Sequence, residues 1–555
     1  MPLPTRRRHP ESDYGNLGST YQILGGAGAV TQETATVTIY KEGTNYIARK
    51  GTTGDIISSN SNFSTVCNAA GAWITGNGII FVKDPGTDIV VPSTITFTNK
   101  EIYVTSDMAK LDFSALNNIV FHFIDNTGHG VLSGGISNFR IKGDKTKTSQ
   151  IFVKFSEVIA KVNNIINTST DAIYRFLHLY GSCPGSRITN NTVVAYNGIK
   201  IEGYVSGSTF ESNGSIIDGN YIDSVYDGSN INTSIEIIYS WGIMICNNYL
   251  AGSCYGIVST NSYYLKIANN YIDGGVIGAD LNCNFPHVSN NYFQCQYADC
   301  IGVKLYSTFG GTITGNVIYS PNNHDFHGIQ LENLAKRVSI TGNLIIEEST
   351  PADTYGIYGA GTNNEITIVG NTFTGTASMT ATAIKFNVLN DSTIMGNSIR
   401  NFSTKINIAT RTSCVVEQTN QAYTLRVHGG YTATIADSLT YYYGSLIGFA
   451  MVTTAGNSRV YVPKAGIIRK AYLFFYCGTE SSAENIAFYI RVNDTTDYVI
   501  TTTGHLNANQ ILNFNDALNI PVAEGDFFEI KVIMPVFGTN PAGVSPTGDI
   551  LIECE

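Results

Sequence analysis

The sequence predicts an all-β protein, a right-handed parallel β-helix followed by a C-terminal antiparallel β-sandwich of jelly-roll type. Three observations carry this. An asparagine-centred motif recurs every 21 to 29 residues, strand-like segments alternate between its copies, and the texture changes near Cys414 to longer alternating strands. A fixed motif at such a period signals stacked units, each too small to bury its own apolar face.

The motif is Ile or Val, two residues, Asn, one residue, then an aliphatic side chain or Phe. It is centred on Asn191, Asn220, Asn248, Asn270, Asn291, Asn316, Asn343, Asn371 and Asn397. A second motif lies between the copies, as in NGIKIEG from Asn197, YGIVST from Tyr255, DCIGVKL from Asp299 and HGIQLEN from His327. Short runs, period-two alternation and β-branched residues make these strands rather than helices. Stacking coils at the ~4.8 Å parallel spacing aligns inward Ile, Val and Phe in columns. The repeated Asn is expected at a sharp corner, tolerating left-handed backbone and bonding its stacked neighbour. A leucine-rich repeat would need an LxxLxL frame, which is absent.

The domain reading follows this texture. Residues 1–35 form a polar leader and 36–75 a lead-in and cap, in which SNFSTVCNAAGAW supplies an amphipathic helix over the open end of the stack. Residues 76–415 form the β-helix, 416–430 a linker, and 431–555 the sandwich, with strands such as ENIAFYIRVND.

Composition narrows the function classes. Charged residues make up only 14% of the 555, and the net charge of −10 argues against binding a phosphate backbone, so no nucleic-acid partner is expected. No apolar run reaches the ~18 to 20 residues of a membrane span. Arg6-Arg7-Arg8 sits in the leader without a following apolar segment, which fits a docking tail and shows no secretory-signal pattern. Ten cysteines, five of them between Cys246 and Cys300, lack zinc-site spacing and read as buried thiols or one or two disulfides. Walker, Rossmann and EF-hand patterns are absent, so no cofactor and no metal are expected.

The opening FSTVCNAAGAWITGNGIIFVKDPGTDIVV and the asparagine coils that follow resemble the pectin-lyase-like β-helix superfamily over roughly residues 36 to 415. VTIYKEGTNYIARKGTTGD resembles the lead-in of β-helix proteins carried by archaea and their viruses. AFYIRVNDTTDYVI and NDALNIPVAEGDFFEIKV are similar to small jelly-roll domains of virus tail fibres and spikes. These resemblances imply a virion surface spike, commonly a homotrimer, that engages host surface polysaccharide or glycoprotein. They also imply other virion proteins as partners through the N-terminus. The fold hosts several chemistries, so activity is not implied with it. A structural or adhesive virion component and a secreted polysaccharidase remain alternatives.

Candidate site residues come from coil geometry. Gly128-His129-Gly130 and Arg140-Ile141-Lys142 match polygalacturonase fragments but lack the accompanying carboxylate motifs, so they are read as chance. Aligning the second motif on its Ile places Glu202, Asp280, Lys304 and Glu332 three residues later, on one outward stripe. Asp280 and Glu332 then lie two coils and roughly 9 to 10 Å apart, near the separation of an inverting glycosidase pair. The bland alternative is a solvated charged face. His324, Asp325 and His327 read as a polar loop. Tyr239, Trp241, Tyr255, Tyr263 and Tyr264 form an aromatic cluster suited to sugar stacking or, alternatively, to packing against a neighbouring subunit or coil. Any catalysis is expected to be glycoside hydrolysis rather than elimination.

Overall fold

The computed structural model describes residues 35–554, apart from 128–131, 225–231, 349–353, 417–421, 445–449, 477–484, 504–509 and scattered gaps of one to three residues. The chain divides into two compact units between Val416 and Glu417.

The first unit is a right-handed parallel β-solenoid of about 12 turns. Each full turn contributes to three sheets. In one turn these are Ile277–Asn284 in the first, His287–Ser289 in the second and Tyr292–Gln294 in the third. Every strand pairs in parallel with its counterpart one turn on, as Ile313 with Ile340 in the second sheet and Ile318 with Ile345 in the third. The two near-identical stretches ITGNVIYS and ITGNLIIE are therefore the same corner in consecutive turns. Inward columns such as Ile217, Ile245, Ile267, Val288, Ile313, Ile340 and Ile368 are fully buried. The first end carries an antiparallel hairpin, Val37–Glu42 with Asn45–Lys50. Beside it lies the expected helix, Phe63–Trp73, whose Asn62 side chain caps the amide of Thr65 at 3.2 Å. Phe63, Val66, Cys67 and Ala70 bury that helix against the end of the stack.

The corner asparagines bond their stacked neighbours as expected but do not take the left-handed backbone. The left-handed backbone belongs to the residue before each of them, as Asn190, Gly219, Asn247, Asn269, Asn290 and Gly315 with φ of 54 to 65°. The motif asparagines are buried and joined in a ladder. From Asn191 to Asn397, each side-chain amide donates to the carbonyl oxygen of the next at 2.8 to 3.0 Å. Each also donates to backbone carbonyls, as Asn248 to Ile217 at 3.0 Å. The inward amide thus satisfies corner groups that a wholly apolar core would orphan.

A glycine column sets the register of the first sheet. A methyl on Gly256, Gly278, Gly302, Gly328 or Gly356 would lie 2.5 to 2.6 Å from the carbonyl oxygen of the following turn and against a third-sheet side chain, such as Ile318 for Gly302. First and third sheets approach so closely here that only Gly fits in these five turns.

The second unit contains two antiparallel sheets, of six and five strands. Val427, Leu473, Phe475, Phe488, Ile490, Phe528 and Ile550 belong to its core. Its first strand, Ala422–His428, pairs with the last, Ala542–Cys554. Residues 422–428, expected within a linker, are therefore part of this unit.

Cys67, Cys183, Cys246, Cys254, Cys283, Cys295, Cys300 and Cys414 are free thiols. Among the described residues no helix is long and apolar enough to cross a membrane, and no group of His, Cys, Asp and Glu is arranged to hold a metal ion.

Candidate functional site

Alternation sends every second residue of the first sheet outward. In register, turn by turn, these include His178, Lys200, Glu236, Val258, Asp280, Lys304, Gln330, Tyr358 and Lys385. The expected single stripe is corrected by this register. Asp280 opposes Lys304, but Lys304 opposes Gln330, and Glu332 opposes Tyr306. Glu202 opposes Ile238. The error came from aligning on Ile. In Gly198-Ile199 and Gly328-Ile329 the Ile follows the close-packed glycine, whereas in Ile277-Gly278 and Ile301-Gly302 it precedes it. The glycines align, so Glu202 and Glu332 sit two residues further along than Asp280 and Lys304.

Asp280 and Glu332 nonetheless share one electrostatic site. Two strand spacings and a two-residue step put their backbones about 12 Å apart. Lys304, between them, reaches Glu332 Oε1 at 3.3 Å, and the Gln330 side-chain amide donates to the same oxygen at 2.7 Å. Burial raises the Asp280 carboxyl above the usual carboxylate range; Lys304 works against the rise and Glu332 adds to it. Half-buried Asp280 makes no hydrogen bond or ion pair among the described residues.

The network continues toward the C-terminal end. His327 lies on the strand Phe326–Glu332 rather than in a loop. Its Nδ1 donates to Gln330 Oε1 at 2.7 Å, and its ring packs on Tyr355 and Tyr358. Lys385 donates to the Tyr355 hydroxyl at 2.8 Å. Asp325 stands just before that strand, and His324 lies outside the described residues.

Glu202 belongs to a separate cluster three turns before Asp280. It accepts from His178 Nε2 and Lys200 Nζ, both at 2.9 Å, while Arg175 pairs with Glu236 at 3.4 Å. Burial works against its charge, but Lys200 and His178 hold the Glu202 carboxyl below its usual value. Burial, and then Lys154, lower His178 to about 4. Glu202 is occupied by its own neighbours, in contrast to Asp280.

The aromatic candidates divide as well. Tyr255 is half-buried at the start of the first-sheet strand Tyr255–Tyr263, and its phenol is raised by burial and by Cys254 and Asp280. Tyr239 is exposed at the end of the preceding strand. Trp241 opposes Tyr263 in register and stacks on Tyr264 at 5.4 Å; Tyr264 stacks on Phe285 at 4.9 Å. Phe309 then meets Phe285 edge-on, with the Arg337 guanidinium 5.0 Å from its ring centre. Trp241, Tyr264, Phe285 and Phe309 are each 36 to 47% exposed, which makes a continuous surface ridge over four turns. Phe285, Phe309 and Arg337 escaped the sequence reading, although for Phe285 and Arg337 a signal existed. Six residues before each ladder asparagine lies a left-handed corner, held by Gly214, Gly242, Tyr264, Phe285, Gly310, Arg337 and Glu365 in successive turns. Aromatics at a position that glycine fills elsewhere point outward from the corner.

A further aromatic column went unread on the third sheet. Tyr221, Tyr249, Tyr271 and Tyr292 stack at 4.8 to 5.0 Å, each directly after a ladder asparagine. Tyr249 and Tyr271 donate to Asp273 and Gln294, and Gln296 donates to Asp273 at 2.6 Å, so this column is bonded within itself.

No protein-family model and no curated protein sequence matches the chain. Solved structures similar to it include tailspike protein 3 of bacteriophage CBA120, at 11% identity and TM-score 0.46, covering 64% of this chain and 59% of that one. A mutant tailspike of E. coli bacteriophage HK620, solved in complex with a pentasaccharide, shares 13% identity at TM-score 0.46, covering 87% and 92%. Tailspike gp61 of Pseudomonas phage phi297 shares 10% at TM-score 0.45, covering 88% and 91%. Likeness at this level assigns no residue a role.

Proposed function

We propose that the chain is a virion surface spike that binds host surface glycan along the outer face of the first sheet and hydrolyses it. Asp280 is the proton donor to the leaving glycosidic oxygen, and Glu332 the base that draws a proton from the attacking water. Lys304, 3.3 Å from Glu332 Oε1, fixes the direction of that carboxylate. With backbones about 12 Å apart, the two side chains must lean toward each other to bring their carboxyl groups within the ~6.5–9.5 Å that an inverting pair uses to hold one water. The supporting observation is Asp280 itself: a half-buried carboxyl, raised by burial, with no hydrogen bond among the described residues, beside a carboxylate that has two partners. Environments that set two acids apart are how one protein supplies both an acid and a base. The ridge Trp241, Tyr264, Phe285 and Phe309 is the sugar-binding contact, joined by Tyr239, Tyr255 and Tyr263. Glu202 contributes substrate contact through its Lys200 and His178 cluster rather than proton transfer.

The same reading makes the spike a homotrimer attached to other virion proteins through residues 1–35, a segment outside the described residues apart from Ala35. Incubation with purified host surface polysaccharide, followed by reducing-end and mass analysis, tests it. Oligosaccharide release that disappears in Asp280→Asn and Glu332→Gln is the expected result. Intact glycan with retained binding would make the chain an adhesive spike, a role to which the exposed ridge is equally suited.

A further inference from the structure

The second unit carries an aromatic and charged face that the solenoid reading leaves unused. On its six-stranded sheet, three neighbouring strands bring Arg426, Asp549 and Tyr472 directly opposite one another, and in the next outward row His428, Thr547 and Phe474. Tyr472 and Tyr476 are 46% and 45% exposed, with half-buried Phe474 between them on alternate residues. Arg426 Nε donates to Asp549 Oδ1 at 3.1 Å, and both side chains are exposed. Together Arg426, Tyr472, Phe474, Thr547 and Asp549 line an open recess of about 300 Å³.

We infer that this face is a second saccharide-binding site, specific for a neutral sugar and independent of any catalysis on the solenoid. A pyranose presents an apolar C–H face and a rim of hydroxyls, each both donor and acceptor. Tyr472, Phe474 and Tyr476 supply aromatic surface for the first, and the Arg426–Asp549 pair supplies fixed donors and acceptors for the second. The pair is neutral overall, so nothing here attracts an acidic sugar. A protein partner is disfavoured on this face, because covering the pair would desolvate two charges that now face water. A sugar hydroxyl would replace the lost water bonds one for one.

The test uses the full chain and the methyl glycosides of glucose, galactose, mannose and N-acetylglucosamine as probes, with binding read by saturation-transfer NMR titration. At least one probe is expected to bind. Tyr472→Ala and Arg426→Ala should each weaken it about tenfold or more, with melting temperature unchanged because both side chains are exposed. A Trp241→Ala/Asp280→Asn variant, which removes the proposed solenoid contact, should keep the share of binding that Tyr472→Ala removes. The inference is overturned if no probe binds, or if the solenoid variant loses the sugar while Tyr472→Ala keeps it. It is also overturned if Tyr472→Ala dissociates an oligomer in sedimentation, which would make the face a contact between copies. A depolymerase that fails the solenoid test and still loses sugar at Tyr472→Ala would sink the catalytic reading alone.

Discussion

Asp280, the proposed acid, illustrates how a candidate site residue costs stability. Its folded carboxyl is raised by burial above the value it has in the unfolded chain, so at neutral pH the native state holds a charge it disfavours. That penalty disappears as the pH falls and the carboxyl is protonated. Asp280→Asn should therefore raise the melting temperature at pH 7 and not at strongly acidic pH, while abolishing any glycan cleavage. A lower melting temperature for the variant at pH 7 would mean that the carboxylate is held by favourable contacts and is not poised as an acid. Tyr264 and Phe285 show the same trade in the backbone. Their φ angles of 54° and 55° fall where the corners before and after use Gly242 and Gly310, and a non-glycine residue there costs roughly 1–2 kcal/mol. Tyr264→Gly removes that cost along with two ring stacks, on Trp241 and Phe285, each worth about 0.5–1.5 kcal/mol. Its denaturation midpoint should shift little, whereas glycan affinity in titration calorimetry should drop. Equal affinity in the variant would remove the ridge from the binding site. The ladder asparagines were legible as a repeat and as stacked hydrogen-bonding partners, but not as residues that leave the left-handed backbone to their predecessors. Sequence places Asn near a corner without saying whether the left-handed residue is that Asn or its predecessor, and here Asn190, Asn247 and Gly315 take the strain while their neighbours turn inward.

At the level of the strand, register decides which side chains meet, and the sequence held the register in its glycines. Ile is the more conspicuous letter in the second motif, yet Ile tolerates either face of the strand edge. Gly302 does not tolerate replacement, since a methyl there would meet the Gly328 carbonyl oxygen at 2.6 Å and Ile318 at 2.4 Å. Aligning on glycine would have separated Asp280 and Lys304 from Glu202 and Glu332 in advance. It would not have revealed the Gln330 and His327 links, which depend on side-chain reach across strands. The first sheet also carries a pH response. His122 and His178 flank Lys154 in one column, and both are lowered to about 4, by burial first and then by Lys154. Lys200 adds to the lowering of His178, and Glu202 opposes it. Unfolded histidine binds a proton near pH 6.5, so the unfolded state gains protons before the native state does. Solenoid stability is then complete above pH 6.5 and declines as the pH falls toward about 4. Between pH 6.5 and 5, above most carboxylate titrations, a His122→Gln/His178→Gln variant should lose less melting temperature than the parent. Parallel slopes would assign the acid sensitivity elsewhere.

Across the whole chain, two apolar cores have no residue in common. One runs through the solenoid from Val37 to Phe402, and the other links Val427 to Ile552 within the second unit. The change from a 21 to 29 residue period to long alternating strands announced this division in the sequence. The position of the boundary was less legible, because Ala422–His428 has no repeat signature and becomes a strand only by pairing with residues 547–553, more than a hundred positions away. Separate cores imply separate cooperative transitions. In a solenoid each turn is stabilised by its neighbours, so removing a buried side chain in mid-stack weakens the unit as a whole. Ile340 is fully buried between Ile313 and Ile368, and truncating it to Ala should cost about 2–5 kcal/mol. Phe488, equally buried in the other core, should cost about 3–5 kcal/mol on the same change. Scanning calorimetry of the full chain should then resolve two heat-absorption peaks, with Ile340→Ala lowering one midpoint and Phe488→Ala the other. If both substitutions moved a single peak together, the two cores would unfold as one, and glycan bound on either unit would stabilise the entire chain.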